Sequence, residues 1–165
     1  MKLCLYDVEQ SITSGIPSLQ KVREYKVPAA MVYIRNSQDV REVVTKYYKF
    51  ATLAEEEACV ICANASGRIL GMSVVTHGSV NLTILPIREI FQRALLMGAA
   101  WIVVVHNHPS GDSRPSSCDL ETTKKLVEAG QLLGVPVQDH IIIGSDVFSF
   151  RDNGLIPSKE NLSIG

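Results

Sequence analysis

The sequence predicts an α/β layered domain in which helices cover a central mixed sheet. One observation is the unbroken apolar run over residues 101–105, which is typical of a strand buried on both faces. Another is that such runs alternate with two helical patterns, which end at Gly98 and Gly134. Strands and helices that alternate in this way indicate a layered α/β architecture.

The first predicted element is a capped amphipathic helix that begins near Ser37. Its apolar and aromatic positions recur at helical spacing and are Val40, Val43, Val44, Tyr47 and Tyr48. Residues 1–28 have weak periodicity, and we assign them no function. We therefore treat residues 1–50 as an amino-terminal extension with one amphipathic helix.

The part of the chain after residue 50 alternates between the two periodicities. The predicted order is a strand from residue 57, a turn at residues 65–67, a strand through Val75, a loop at 76–78, a helix at 87–97, a strand at 101–105, a helix over Ser117–Leu133, and two short strands at 140–143 and 147–150. Residues 51–165 are thus predicted to form the main domain.

Length and hydropathy favour a cytoplasmic protein that has no membrane partner. At 165 residues the chain is long enough to bury one core. No apolar run approaches the roughly 20 residues that span a bilayer. The first residues lack the apolar core of a signal peptide.

The charge balance argues against DNA as the primary partner. The net charge is −1 and the isoelectric point is near 6.4, with Lys and Arg scattered along the chain. Nucleic-acid binders usually carry a clustered basic surface. A local basic patch assembled by folding is the alternative that composition leaves open, and composition says nothing of the oligomeric state.

The four cysteines are predicted to be reduced and structural. Cys59-x-x-Cys62 resembles a metal or redox motif in its spacing. It lies within a predicted strand, however, where residues three apart point to opposite faces. Zinc deaminases pair His-x-Glu with Pro-Cys-x-x-Cys, and neither half is present, which disfavours deaminase chemistry.

The most informative segment is His106-Asn107-His108-Pro109, with Ser116 and Asp119 after it. Residues i and i+2 of an extended chain point to the same side, so both imidazoles can converge beyond the end of the strand. A Pro-Ser-Gly turn follows, and Asp119 falls in the first turn of the next helix. Two nitrogens and one oxygen leave a fourth tetrahedral position open, which is typical of catalytic zinc.

The same residues also allow a purely structural interpretation. Ser116-x-x-Asp119 matches a capping box, with Asp in place of the usual Glu. The two roles are compatible, because a carboxylate at a helix N-terminus is favoured by the helix dipole whatever else it does. His77 lies outside the motif, and we interpret it as structural.

These residues carry a resemblance to a known family. His106-x-His108-Pro109, followed after six residues by Ser116-x-x-Asp119, resembles the JAMM motif of the JAB/MPN metalloprotease superfamily. The heptapeptide His-Asn-His-Pro-Ser-Gly-Asp is most similar to the bacterial RadC branch. Residues 86–91, 94–95, 139–144 and 149–150 are similar to the segments that flank the motif in that branch, and the resemblance covers roughly residues 55–156. It implies a JAB or cytidine-deaminase-like three-layer αβα sandwich.

The resemblance also implies roles for individual residues. His106, His108 and Asp119 would bind Zn²⁺, and Ser116 would stabilise the oxyanion of a tetrahedral intermediate. A glutamate would act as general base on zinc-bound water. Counting back from the turn at residues 64–68 selects Glu56, but Glu55 and Glu57 stay open, because Ala58 replaces an expected aromatic residue and three acidic residues in a row also form solvated clusters. His140 would orient a ligand from the second layer of contacts.

The expected function is hydrolysis of a peptide or isopeptide bond in a peptide or protein substrate by zinc-bound water. RadC proteins resemble a helix-hairpin-helix module followed by this domain, and the chain has no such hairpin, so we expect a short form. Two alternatives remain: a non-catalytic interaction module on the same fold, and a protein associated with DNA repair.

Overall fold

The computed structural model describes residues 1–79 and 85–157 and contains, within them, seven strands and three α-helices. The strands are β1 (Lys2–Gln10), β2 (Pro17–Lys26), β3 (Glu56–Ala63), β4 (Ile69–Ser79), β5 (Trp101–Asn107), β6 (Val137–Ile143) and β7 (Val147–Ser149). The helices are α1 (Ser37–Tyr48), α2 (Ile87–Leu96) and α3 (Ser117–Leu133). The end of the predicted main domain, residues 158–165, lies outside the described residues.

All seven strands form one mixed sheet in the order β2-β1-β4-β3-β5-β6-β7. β1 runs parallel to β4, and β5 runs parallel to β6, while the other neighbours are antiparallel. α1 packs on one face of the sheet, whereas α2 and α3 pack on the other. The predicted three-layer αβα sandwich is confirmed.

Both faces of the central strands are buried, which explains their continuous apolar sequence. Cys59 and Ile61 of β3 belong to the core under α1, whereas Val60 and Cys62 belong to the core under α2 and α3. The two cysteines therefore lie on opposite faces, as predicted. Burial raises the pKa of both thiols, that of Cys62 to about 12, which keeps them protonated and poor metal ligands.

The amino-terminal residues form an element that periodicity did not predict. β1 and β2 make a hairpin, and β1 joins the main sheet through the register pairs Leu5↔Met72 and Tyr6↔Ser73. β2 is largely exposed, so its apolar and polar residues have no buried face to alternate against. The division of the chain at residue 50 stays a prediction.

Three predicted strand boundaries differ from the structure by two or more residues. β5 continues past residue 105 to Asn107, β6 begins at Val137 instead of residue 140, and β4 extends beyond its predicted end. β4 continues to Ser79 instead of ending at Val75, because Thr76 and Ser79 pair with Ala58 and Glu56. α1 begins at Ser37, as predicted. The cap of α1 is Asn36, whose side chain accepts a hydrogen bond from the Asp39 amide. α3 begins and ends where predicted. Among the described residues, no helix is long and apolar enough to cross a membrane.

Candidate metal centre

His106, His108 and Asp119 converge at the end of β5, beside the first turn of α3. The two Nε2 atoms are 3.0 Å apart. His106 Nε2 is 3.4 Å from Asp119 Oδ1, and His108 Nε2 is 3.7 Å from Asp119 Oδ2. One ligand atom from each residue falls within 4.8 Å of the others, so the group could hold a metal ion.

The loop after β5 is pinned so that His108 turns back towards His106. The His108 amide donates to the carbonyl of Ile143 at 2.8 Å, and the Ser145 amide donates to the carbonyl of Gly111 at 2.8 Å. Gly111 has a φ of +84°, and a Cβ there would lie 2.7 Å from Ser145 Oγ. Glycine is required at this position because the loop adopts a left-handed conformation in close contact with the β6–β7 turn.

Asp119 serves both as helix cap and as part of the convergent group. Its Oδ2 accepts hydrogen bonds from the Ser116 amide at 2.8 Å and the Ser116 hydroxyl at 2.6 Å. The Ser116 Oγ in turn accepts from the Asp119 amide, which completes a capping box. Since Ser116 occupies Oδ2, Oδ1 is the oxygen that faces His106 Nε2.

Both histidines have the properties that a metal ligand needs. Burial lowers the pKa of His106 to about 4, although the nearby Asp119 carboxylate opposes the shift. The ring is therefore neutral at pH 7. His108 Nδ1 lies 2.7 Å from the carbonyl oxygen of Asp112, which can only accept. His108 Nδ1 therefore donates to this carbonyl, and Nε2 is the nitrogen that faces His106.

The donor set fits zinc. Two imidazole nitrogens and one carboxylate oxygen leave room for a fourth ligand, as catalytic zinc sites do. The side chains of His106, His108 and Asp119 are 3%, 16% and 11% exposed, so solvent reaches the group at His108 and Asp119 while His106 is buried.

Behind the convergent group lies a buried polar chain. His140 Nε2 is 2.8 Å from His106 Nδ1, and His140 Nδ1 is 2.6 Å from Thr123 Oγ1. The His140 ring stacks on Phe150 at a centroid distance of 4.7 Å and an interplanar angle of 15°. His140 therefore lies where the sequence analysis expected it, against a predicted ligand.

Asn107, between the two histidines, contacts the acidic triplet. Its Oδ1 accepts from the Glu57 amide at 2.8 Å, and its Nδ2 donates to the Glu55 carbonyl at 3.0 Å. The Glu57 carboxylate accepts from the hydroxyl of Tyr48 in α1 at 2.9 Å, so it lies on the α1 face of the sheet. Backbone alternation gives Glu56 the other face, on which His106 lies.

Comparison with known proteins places these residues in a family. A model described as the RadC-like JAB domain matches residues 34–155. This chain belongs to the RadC-like JAB domain family. The resemblance drawn from the sequence is thereby confirmed.

Curated relatives of this RadC-like JAB domain carry the name UPF0758 protein. One from Methanosarcina barkeri is 41% identical over 118 residues, which cover 70% of this chain and 52% of the relative. Another from Caldanaerobacter subterraneus is 40% identical, with coverage of 67% and 47%. A Bacillus cereus protein is also 40% identical, with coverage of 74% and 54%. The chain thus spans about half the length of the curated relatives it matches.

A cavity of about 320 Å³ lies beside His108 in this RadC-like JAB domain. Phe50 and Leu53 form one wall, Asn107 contributes to it, and the loops at residues 108–111 and 143–145 close the rest. The cavity thus lies directly beside the half-buried His108.

The sequence analysis did not single out three residues that contact the site or its glutamates. These are Tyr48, Asn107 and Thr123. Asn107 had a usable signal, since the residue between two histidines that face one way must itself face the other way. Tyr48 and Thr123 carried none, because an aromatic residue and a threonine on helices are most often packing residues.

Proposed function

We propose that this RadC-like JAB domain is a zinc-dependent hydrolase of peptide or isopeptide bonds. The observation that carries the proposal is the convergence of His106 Nε2, His108 Nε2 and Asp119 Oδ1 at one accessible point. Two lone pairs 3.0 Å apart repel each other, and a bound cation removes that repulsion. A zinc ion bound there would polarise a carbonyl and lower the pKa of coordinated water from 15.7 to about 7.

Glu56 is the proposed general base. Of the three glutamates, Glu57 is engaged with Tyr48 on the α1 face, and the Asn107 carboxamide holds the backbone on both sides of Glu56. Glu56 would take a proton from water as its oxygen adds to the carbonyl carbon. It would return that proton to the nitrogen as the C–N bond breaks, so that the products are a carboxylate and an amine.

Ser116 is the proposed donor to the developing oxyanion. It is exposed next to the convergent group, and its hydroxyl now donates to Asp119 Oδ2. Rotation about one side-chain bond would redirect that hydroxyl, while the Ser116 amide keeps its own hydrogen bond to Asp119. A donor of this kind typically lowers the barrier by about 2.7–4 kcal/mol.

The substrate class follows from the surroundings of the site. The cavity beside His108 would have room for one side chain, and the backbone of the loops at residues 108–111 and 143–145 could bind an extended peptide through hydrogen bonds. A peptide or protein chain is therefore the proposed partner, and a cytoplasmic location fits a protein whose four cysteines form no disulfide.

The first test measures zinc per chain by elemental analysis after reconstitution. A stoichiometry near one is expected, because the described part of the chain contains one such convergent group. A zinc-free protein would contradict the proposal and favour the interaction module on the same fold.

The second test looks for hydrolysis. The zinc-loaded protein is incubated with a proteome-derived peptide library, and new termini are detected by mass spectrometry. Glu56→Gln should keep its zinc and lose cleavage, whereas the matched control Glu55→Gln should keep both. Equal cleavage by Glu56→Gln and wild type would show that Glu56 is not the general base.

A further inference from the structure

Four groups are linked in a buried line that ends at the candidate metal centre. Thr123 Oγ1 lies 2.6 Å from the backbone carbonyl of Asp119 and 2.6 Å from His140 Nδ1. His140 Nε2 lies 2.8 Å from His106 Nδ1. Thr123, His140 and His106 are all at least 97% buried, so water cannot substitute for any partner in this line.

The hydrogens in this line can be counted. The three contacts along this line are 2.6–2.8 Å long, and each is a hydrogen bond with one hydrogen between its two atoms. The Asp119 carbonyl has none to give, so the single hydroxyl hydrogen of Thr123 must point to it. Thr123 Oγ1 is then the acceptor for His140, which must donate from Nδ1.

The same reasoning sets the proton on His106. A neutral imidazole carries one N–H, so His140 Nε2 is bare and accepts from His106 Nδ1–H. His106 Nε2 is then bare as well and directs its lone pair at His108 Nε2 and Asp119 Oδ1. The stack of His140 on Phe150 fixes the plane of the His140 ring, which connects Thr123 to His106.

We propose that Thr123 and His140 are positioning residues that hold His106 in the Nδ1–H tautomer, with Nε2 free to bind the metal. This inference rests on the metal site of the proposed function and concerns residues outside the convergent group. Thr123 also connects the His106 tautomer to α3, because its hydroxyl donates a hydrogen bond to the backbone carbonyl of Asp119, the third residue of that group. The Thr123 hydroxyl therefore determines the tautomer of His106 and also contacts the backbone of Asp119.

The test compares Zn²⁺ affinity by competition with a chromophoric chelator. Thr123→Val has the same shape and no hydroxyl, and we expect it to bind Zn²⁺ about 10–100-fold more weakly. Thr123→Ser restores the hydroxyl and should bind like the wild type. Thr122→Val is the matched control, since Thr122 is a buried threonine one residue away whose Oγ1 lies 3.9 Å from Cys118 Sγ.

Nitrogen-15 NMR of the histidine rings in the metal-free wild type provides a readout that needs neither metal nor substrate. We expect both His106 and His140 to carry the proton on Nδ1. A His106 ring protonated on Nε2 would overturn the inference, and this holds even if Thr123→Val does not fold.

The outcomes separate this inference from the proposed function. If wild type and Thr123→Val bind Zn²⁺ equally, the positioning role is wrong while the hydrolase proposal stands. If the wild type binds no Zn²⁺, the hydrolase proposal fails, and the NMR tautomer alone decides whether Thr123 and His140 set the His106 ring.

Discussion

The two ends of the sheet handle polar side chains in opposite ways. At the β5–β6 end, His106, Asp119 and His140 are buried, and each has a defined partner. In the β1–β2 hairpin, Glu24 pairs with Lys2 at 2.8 Å and with Lys21 at 2.9 Å, but the two lysine side chains are 64% and 51% exposed.

This difference shows that buried polar contacts constrain the structure more than exposed ones do. A buried polar group that loses its hydrogen-bond partner lowers the free energy of unfolding by roughly 1–3 kcal/mol. The side chains at the β5–β6 end can therefore adopt few alternative hydrogen-bonded arrangements. Exposed ion pairs are screened by water and add little to stability. Substitutions at the buried end should therefore have large effects, and equivalent substitutions in the hairpin should have small ones.

The largest expected effect is that of His106→Ala on zinc content. Removal of one of three predicted ligands should reduce zinc from about one ion per chain to near zero. His77→Ala is the matched control, because His77 is exposed and contacts Glu57 instead of the convergent group. Elemental analysis of both variants measures the difference, and equal zinc in the two would locate the metal elsewhere.

Acid should destabilise the metal-free protein through the buried histidines. Burial lowers the pKa of His106 to about 4 and that of His140 well below its usual 6.5. As the pH falls below about 6.5, the unfolded chain binds protons that the folded chain does not, so the free energy of unfolding decreases with falling pH. The loss is on the order of 1 kcal/mol per pH unit for each histidine, down to the folded pKa.

Urea unfolding at several pH values between about 7 and 4 measures this slope. His106→Gln removes one titrating ring and should flatten the profile. A wild-type profile no steeper than that of His106→Gln would show that His106 is not held neutral by burial.

A smaller effect is expected from Asn107→Ala. The change removes two hydrogen bonds to the backbone around Glu56 and should cost about 1–3 kcal/mol of unfolding free energy. Asn64→Ala is a good comparison, since the Asn64 side chain also makes two hydrogen bonds to the backbone, in which Oδ1 accepts from the amides of Ser66 and Arg68, but in an exposed turn. Chemical denaturation should give the larger loss for Asn107→Ala, and the reverse order would mean that burial does not decide the value of these contacts.

The smallest effect should come from Glu24→Gln in the hairpin. The pKa of Glu24 is lowered to about 2 by its hydrogen bonds to Lys2 and Lys21, yet all three side chains are open to water. We expect a thermal unfolding midpoint indistinguishable from that of the wild type at physiological salt. A clear decrease would show that the hairpin ion pairs matter as much as the buried network.

Local patterns predicted the central elements because those elements obey local rules. The apolar run of β5 needs burial on both faces, and the Ser116 cap with Gly134 at the other end bounds α3 without reference to the rest of the chain. The convergence of His106 and His108 agrees with strand alternation, while the hydrogen bond from the His108 amide to the Ile143 carbonyl holds His108 beyond the end of β5. The hairpin was missed because β2 is an exposed edge, where no buried face imposes a period.

The sequence by itself determined the layered fold and the family, and it selected the predicted metal ligands, since each depends on residue type at fixed spacing. Only the tertiary structure decided the contacts between distant segments. It set Asn107 against Glu55 and Glu57, fifty or more residues away, and placed Thr123 beside His140 and His140 beside His106. The reason is physical: a hydrogen bond needs its two atoms within about 3 Å, and no local pattern specifies which buried polar groups will meet.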